Sequence, residues 1–332
     1  MHVYSTSGKT VGLGHVVRSL SLCVEARKSG VKIYFYTNAL VNNLEKLFVE
    51  ACDEVVEVSS VASYLECLKS FPTSVDVAFI DDYSVYGSAQ TEIRKYCKCL
   101  VVVADDFYSD YFNCSIVVNP NPYKVFDRVR EDMDSIDCLL EGCEYISLKQ
   151  SIISAGRDRN NVGDQGQNLL FLSGGTDSAS IVESFLENTN FFENEFDKIE
   201  IVGSVDVFSG LSDKVSLIPF TDRIHENILN ADVVVTPVGS TVWEAFYLNR
   251  VVIGFSVSNN QKEVFEYLKE NNLILPLNLK NEGWVNQLSE CILDLRSNSV
   301  DKCSMLERTT NLIDGNGSKR ILEKIFEGIQ YE

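Results

Sequence analysis

The feature that most constrains this chain is a regular alternation of short β-branched runs with longer helical patterns, carried through the sequence twice. In the first half the runs HVYS, VKIYFYT, DEVVEV, DVAFID, LVVVAD and SIVVN are separated by helical patterns such as 16–29, 40–51 and 88–96. The second half repeats the design with NLLFLSG, KIEIVG, KVSLIP, ADVVVTP, VVIGFS and LILPL. Strands of this kind pair in parallel, because each parallel neighbour needs a crossover long enough to hold a helix, and the helices then cover both faces of the sheet. Between the halves, SAGRDRNNVGDQGQ (154–167) is polar, rich in Gly and Asn and without periodicity, and reads as a linker. The 332 residues, 45% of them hydrophobic, suffice for two cores of ordinary size. The expected class is therefore α/β, with two Rossmann-like doubly wound parallel-sheet domains, 1–153 and 168–332, and an interdomain cleft at the carboxyl ends of the sheets, where open α/β sheets bind ligands. The last segment, SKRILEKIFEGI, repeats Ile321, Ile325 and Ile329 every four residues, an amphipathic helix suited to cross back over the domain boundary.

Charge narrows the partners. There are 48 acidic against 29 basic side chains, a net charge of −19 spread along the chain, which argues against nucleic acid and anionic membrane. No apolar run approaches the roughly 20 residues that span a bilayer, and MHVYSTSGKT has neither the charged nor the apolar region of a signal peptide. A cytoplasmic protein without integral membrane association is the expectation. The ten cysteines have no zinc spacing and read as reduced, mostly buried thiols.

Three glycine turns carry the chemistry. In VGLGHVVRSLSLC, Gly12 and Gly14 lie on a strand-to-helix turn, and His15 opens the helix. The glycines allow a ligand close to the backbone, while the helix start offers free N–H groups and positive dipole. Val17 stands where a dinucleotide fingerprint has its third glycine, so a nicotinamide enzyme is disfavoured. The dipole and Arg18 one turn later both disfavour an imidazolium, so His15 is expected to be neutral and able to accept a proton. In LLFLSGGTDSAS, Gly174, Gly175, Thr176 and Asp177 form a second turn between strand and helix. In ADVVVTPVGSTVWEAF, Gly239, Ser240 and Thr241 open a helix carrying Glu244: hydroxyls and N-terminal amides suit a diphosphate, and a glutamate suits ribose hydroxyls. Asp81–Asp82 and Asp105–Asp106 end first-domain strands, where carboxylates can bind sugar hydroxyls or metal and are as often turn residues; without a Walker lysine or a magnesium pattern, no metal site or cofactor is expected.

These motifs, in this order, resemble the UDP-2,4-diacetamido-2,4,6-trideoxy-β-L-altropyranose hydrolases of pseudaminic acid biosynthesis, which are similar in turn to the N-acetylglucosaminyltransferase that makes the peptidoglycan lipid precursor. The resemblance runs through GLGHVVRSLSLC, IDDY, VVVADD, VVNPNPY, FLSGGTD, ADVVVTPVGSTVWEA and NNQKE. It implies a GT-B fold with UDP held mainly by the second domain. It also implies that His15 is the catalytic histidine, activating water against the anomeric carbon and expelling UDP with inversion. Tyr83 and Asn260 match sugar-site positions, grouped here with Gly12, Gly14 and Arg18 as substrate-binding residues. Glu244 matches the nucleotide-contacting glutamate, and Gly174 and Gly175 match the loop near the diphosphate. The chain departs from the family at Tyr4–Thr6 and at Tyr145–Ile152, where YISLKQSI stands for a segment with an arginine and a Glu-Phe pair. The leading expectation is a metal-independent UDP-sugar hydrolase whose partners are its UDP-sugar and other enzymes of that sugar's pathway. A glycosyltransferase of the same fold and a non-catalytic nucleotide-sugar-binding homologue are the alternatives.

Overall fold

The computed structural model describes residues 1–8, 13–40, 44–85, 87–105, 112–123, 136–156, 168–174, 179–203, 210–219, 221, 223–281, 283–297 and 300–330. The chain divides into two units, Met1–Lys149 with Gly315–Glu332, and Gln150–Asp314.

The first unit is a seven-stranded sheet in the order β3-β2-β1-β4-β5-β6-β7, every pair parallel. The strands are β1 (His2–Ser5), β2 (Tyr34–Thr37), β3 (Glu54–Glu57), β4 (Val75–Asp81), β5 (Cys97–Val103), β6 (Cys114–Asn119) and β7 (Ile136–Glu141). Its helices are α1 (Gly14–Lys28), α2 (Glu45–Ala51), α3 (Val61–Lys69) and α4 (Gly87–Arg94). Period-two patterning sorts the strand residues onto two cores: Val3, Val77, Phe79, Cys99 and Val101 face one, Tyr4, Ala78, Ile80, Leu100 and Val102 the other. The first core also takes Leu20 and Cys23 of α1, and Ile321, Leu322 and Ile325 of the chain's last helix. Strand β7, IDCLLE, was not among the runs singled out in the sequence. It is an edge strand with mixed exposure and two acidic residues, so it lacks the continuous apolar pattern of its neighbours.

The second unit holds a six-stranded parallel sheet, β10-β9-β8-β11-β12-β13. Its strands are β8 (Asn168–Leu172), β9 (Lys198–Val202), β10 (Val215–Ile218), β11 (Val233–Pro237), β12 (Val251–Phe255) and β13 (Leu275–Pro276). Each falls on a run read from the sequence. The helices are α5 (Gln150–Ala155), α6 (Ala179–Leu186), α7 (Thr189–Glu195), α8 (Ile224–Asn230), α9 (Ser240–Tyr247), α10 (Lys262–Glu270), α11 (Trp284–Arg296) and α12 (Lys302–Thr310), before the chain returns to the first unit as α13 (Gly317–Gln330). The expected linker, 154–167, begins inside α5, whose Ile152 is fully buried and which packs on α8 and α9; from residue 157 it lies outside the described residues.

Both sheets are open, parallel and doubly wound, the class expected from the sequence. In each, the order reverses between the first and fourth strands of the unit, β1/β4 and β8/β11, which are the topological switch points where open sheets of this kind bind ligands beyond the carboxyl ends of the strands. Among the described residues, no helix is long and apolar enough to cross a membrane.

Candidate active site

At the first switch point the register sets Ser5, the last residue of β1, beside Asp81, the last residue of β4. Helix α1 begins at Gly14, just past that edge, so His15 lies in its first turn. His15 is buried, and its Nδ1 lies 3.1 Å from Oδ1 of Asp81 and 3.3 Å from that residue's carbonyl oxygen. Positions three and four further along the same helix face bring Arg18 and Ser19 to the same carboxylate. Arg18 donates from Nε to Oδ2 at 2.6 Å and from Nη2 to Oδ1 at 2.5 Å, and Ser19 Oγ donates to Oδ2 at 3.0 Å. Nη1 of Arg18 reaches a second carboxylate, Asp105, two residues beyond the end of β5. The ring of Tyr83 stands edge-on to that of His15, 4.4 Å between centroids.

The electrostatics differ from the sequence expectation. Burial and the Arg18 charge do work against an imidazolium at His15, but the Asp81 carboxylate, by its charge and its hydrogen bond, and Asp105 further away outweigh them. The His15 pKa is raised above its ordinary value, where the helix dipole and Arg18 alone predicted the reverse. Asp81, although fully buried, is held well below the usual carboxylate range by Arg18 and His15. Asp105 is lowered too, against its own burial, chiefly by Arg18. With Asp81 ionised, Nδ1 of His15 is the protonated nitrogen of the neutral ring and Nε2 carries the lone pair.

At the second switch point, Gly174 follows β8 with φ of +91°, a conformation that favours glycine, and a Cβ there would stand 3.0 Å from Pro237 Cγ at the end of β11. Gly239 is the N-cap residue of α9 without a side-chain cap, its carbonyl accepts a 3.2 Å bond from the Val242 amide, and Ser240 and Thr241, which open the helix, have no helical carbonyl behind them to receive their amides. One turn in, Glu244 is buried. After β12 a single 3-10 turn, Asn259–Gln261, runs past the same helix start: a Cβ on Gly239 would lie 3.5 Å from Gln261 Nε2. In this loop Asn260 accepts a 2.5 Å hydrogen bond from Ser258, and the Gln261 side chain accepts one from the amide of Val257 at 3.0 Å.

The site residues read from the sequence thus fall into two groups. Gly14, His15, Arg18 and Tyr83 gather at the first switch point, and Gly174, Gly239, Ser240, Thr241, Glu244 and Asn260 belong to the corresponding edge of the second sheet. Gly12, Gly175, Thr176 and Asp177 lie outside the described residues. Arg18 is committed to Asp81 and Asp105. Neither sequence reading of Asp81 and Asp105, as hydroxyl or metal ligands or as turn residues, includes their shared pairing with Arg18. The available signal was a basic pair spaced i, i+3 at a helix start facing acids that end two neighbouring strands.

No protein-family model matches the chain. An uncharacterized protein of Methanocaldococcus jannaschii is 25% identical over 339 residues, covering 95% of this chain and 68% of its own length. Among solved structures, UDP-GlcNAc 2-epimerase from Neisseria meningitidis, bound to UDP-GlcNAc, superposes with a TM-score of 0.64 at 12% identity, covering 98% of this chain and all of its own (100%). MurG of Acinetobacter baumannii gives 0.62 at 12% identity, with 98% and 99% covered. The two structural similarities, with the two parallel α/β sheets, establish the GT-B fold.

Proposed function

We propose that the chain is a metal-independent, inverting UDP-sugar hydrolase that releases UDP from a UDP-linked diacetamido-trideoxy sugar in nonulosonic (pseudaminic) acid biosynthesis. The observation that carries this reading is the buried pairing of His15 with Asp81 at the switch point of the first sheet. A general base needs a free ring nitrogen, a fixed tautomer and a partner for the positive charge it acquires. Asp81 supplies the last two, and Nε2 of His15 takes the proton of the attacking water. The oxygen of that water bonds to the anomeric carbon as the bond from carbon to the UDP oxygen breaks, so the configuration inverts. UDP is a good leaving group when its charge is stabilised, so no protonated carboxyl is needed on that side. The amides at the start of α9, with Ser240 and Thr241, and the segment Gly174–Asp177 are assigned to the diphosphate, and Glu244 to the ribose hydroxyls. Gly12, Gly14, Tyr83 and Asn260 are assigned to the sugar. The UDP-GlcNAc 2-epimerase among the structural relatives, bound to UDP-GlcNAc, supports a nucleotide-sugar substrate.

The test is incubation with UDP-2,4-diacetamido-2,4,6-trideoxy-β-L-altropyranose, with and without EDTA. UDP and free sugar should appear in equal amounts, and His15→Asn should abolish turnover while UDP binding is retained. Full activity in that variant removes His15 from the chemistry. A glycoside formed only when an acceptor alcohol is added would make the enzyme a transferase using the same base.

A further inference from the structure

The pairing of Asp81 with both His15 and Arg18 poses a charge problem that Asp105 solves. Taken alone, Arg18 would neutralise Asp81, and a proton arriving on His15 would then leave one uncompensated positive charge in a buried site, a costly arrangement. Asp105 changes the balance. With His15 neutral, the set of Asp81, Asp105 and Arg18 carries one negative charge in excess; with His15 protonated it is neutral. We propose that Asp105 is a positioning residue for His15, acting through Arg18 to complete a buried charge set that closes when His15 takes a proton. The inference rests on the reading of His15 as the base.

Geometry supports it from three sides. The Asp105 side chain bonds to Arg18 and to neither His15 nor Asp81, and the two carboxylates share one guanidinium by its separate arms. Among the described residues, Oδ1 of Asp105 is buried and has no donor, and Oδ2 takes its bond from Arg18. The Asp105 backbone carbonyl accepts a 2.6 Å hydrogen bond from the side chain of Asn121, just beyond β6, which holds the backbone at Asp105. Among the described residues, the charged and titratable groups that face the imidazole are Asp81 and Tyr83 from the end of β4, Arg18 from its own helix and Asp105 from beyond the end of β5. Asp82 bonds instead to Thr6 and Ser84.

The experiment is a titration of the imidazole nitrogens by NMR on the full chain, in which His2 and His225 serve as internal references. In Asp105→Asn the midpoint of His15 should fall by about one pH unit, and in Arg18→Gln it should rise, while Asp105→Glu stays near the parent. Opposite signs are the decisive result, because simple loosening of the site would carry both variants the same way, toward the ordinary value for histidine. Asp137→Asn removes an equal charge from an exposed position on the same sheet, paired with Arg94, and should leave the midpoint in place. Asp105→Ser removes the same charge if the asparagine variant does not fold. An unmoved His15 midpoint in a folded Asp105→Asn or Asp105→Ser protein, or a fall in Arg18→Gln, overturns the proposal. The titration needs no substrate, so absence of hydrolysis on every UDP-sugar would sink the reading of His15 as the base and leave the charge coupling separately measured.

Discussion

Replacing Asp81 with asparagine separates orientation from shape at the proposed base. The side chain is isosteric, but it removes the charge that accepts two bonds from Arg18, one from Ser19 and the contact with His15. Breaking one side of a buried ion pair costs about 3–5 kcal/mol, because the partner stays buried without compensation; here Asp105 retains part of Arg18, which places the expected loss near the lower end, about 3 kcal/mol. For the reaction the larger effect is on the histidine. An asparagine at 81 presents an N–H as readily as an oxygen to Nδ1, so the neutral ring shifts toward the tautomer with its proton on Nε2, which cannot act as a base. A change of that kind lowers turnover by about 10⁴ in an enzyme whose histidine is oriented in the same manner. Urea unfolding measures the first quantity and the rate of UDP release the second, with UDP affinity as a control for the nucleotide side. A folded Asp81→Asn protein within tenfold of the parent rate would refute the assignment of Asp81 as the group that orients His15.

Other consequences can be checked alongside it. The raised His15 pKa means that its pairing contributes to stability fully below about pH 6.5, its ordinary value, and that this contribution fades as pH rises through the native value. The depressed Asp81 acts in the opposite direction, present above about pH 3.9 and lost as pH falls through its native value. Denaturant midpoints taken from pH 5.5 to 8.5 should therefore decline in the parent and flatten in His15→Asn. Glu244→Gln should weaken UDP binding by about tenfold, read by calorimetry, the scale of one charge-assisted hydrogen bond. Gly317 opens α13 against the 3-10 turn Cys143–Tyr145, where an added Cβ would stand 2.1 Å from the Ile146 carbonyl oxygen; Gly317→Ala should cost about 1–3 kcal/mol in urea unfolding.

The fold was legible because parallel strands buried on both faces announce themselves as apolar runs, and twelve of them stood in the right order. The site was legible only in part. A glycine turn and a histidine at a helix start are visible as letters, whereas the partners of His15 come from β4 and from the end of β5, 66 and 90 positions away in sequence, and only the strand order brings them to one edge. That is why the sign of the His15 shift was misjudged: the helix dipole and Arg18 are local and could be read, and the buried carboxylate that outweighs them is not. The same limit explains Arg18, whose spacing from His15 on one helix face was plain and whose commitment to two carboxylates was not.

Net charge adds a test of how the proposed substrate is met. A protein of charge −19 repels a UDP-sugar at long range, yet the helix starts assigned to the diphosphate attract it at short range. These two effects respond differently to salt. The Debye length falls from about 30 Å at 0.01 M ionic strength to about 8 Å at 0.15 M, so the diffuse repulsion is largely screened across that interval, while contacts at hydrogen-bond distance are much less affected. Long-range repulsion should therefore dominate the salt dependence, and kcat/KM for UDP-sugar hydrolysis should rise several-fold between 0.01 and 0.15 M sodium chloride, with kcat nearly constant. A kcat/KM that falls over that range would mean that a local cationic field, and not neutral amides and hydroxyls, receives the diphosphate, and the assignment to the start of α9 would have to be abandoned.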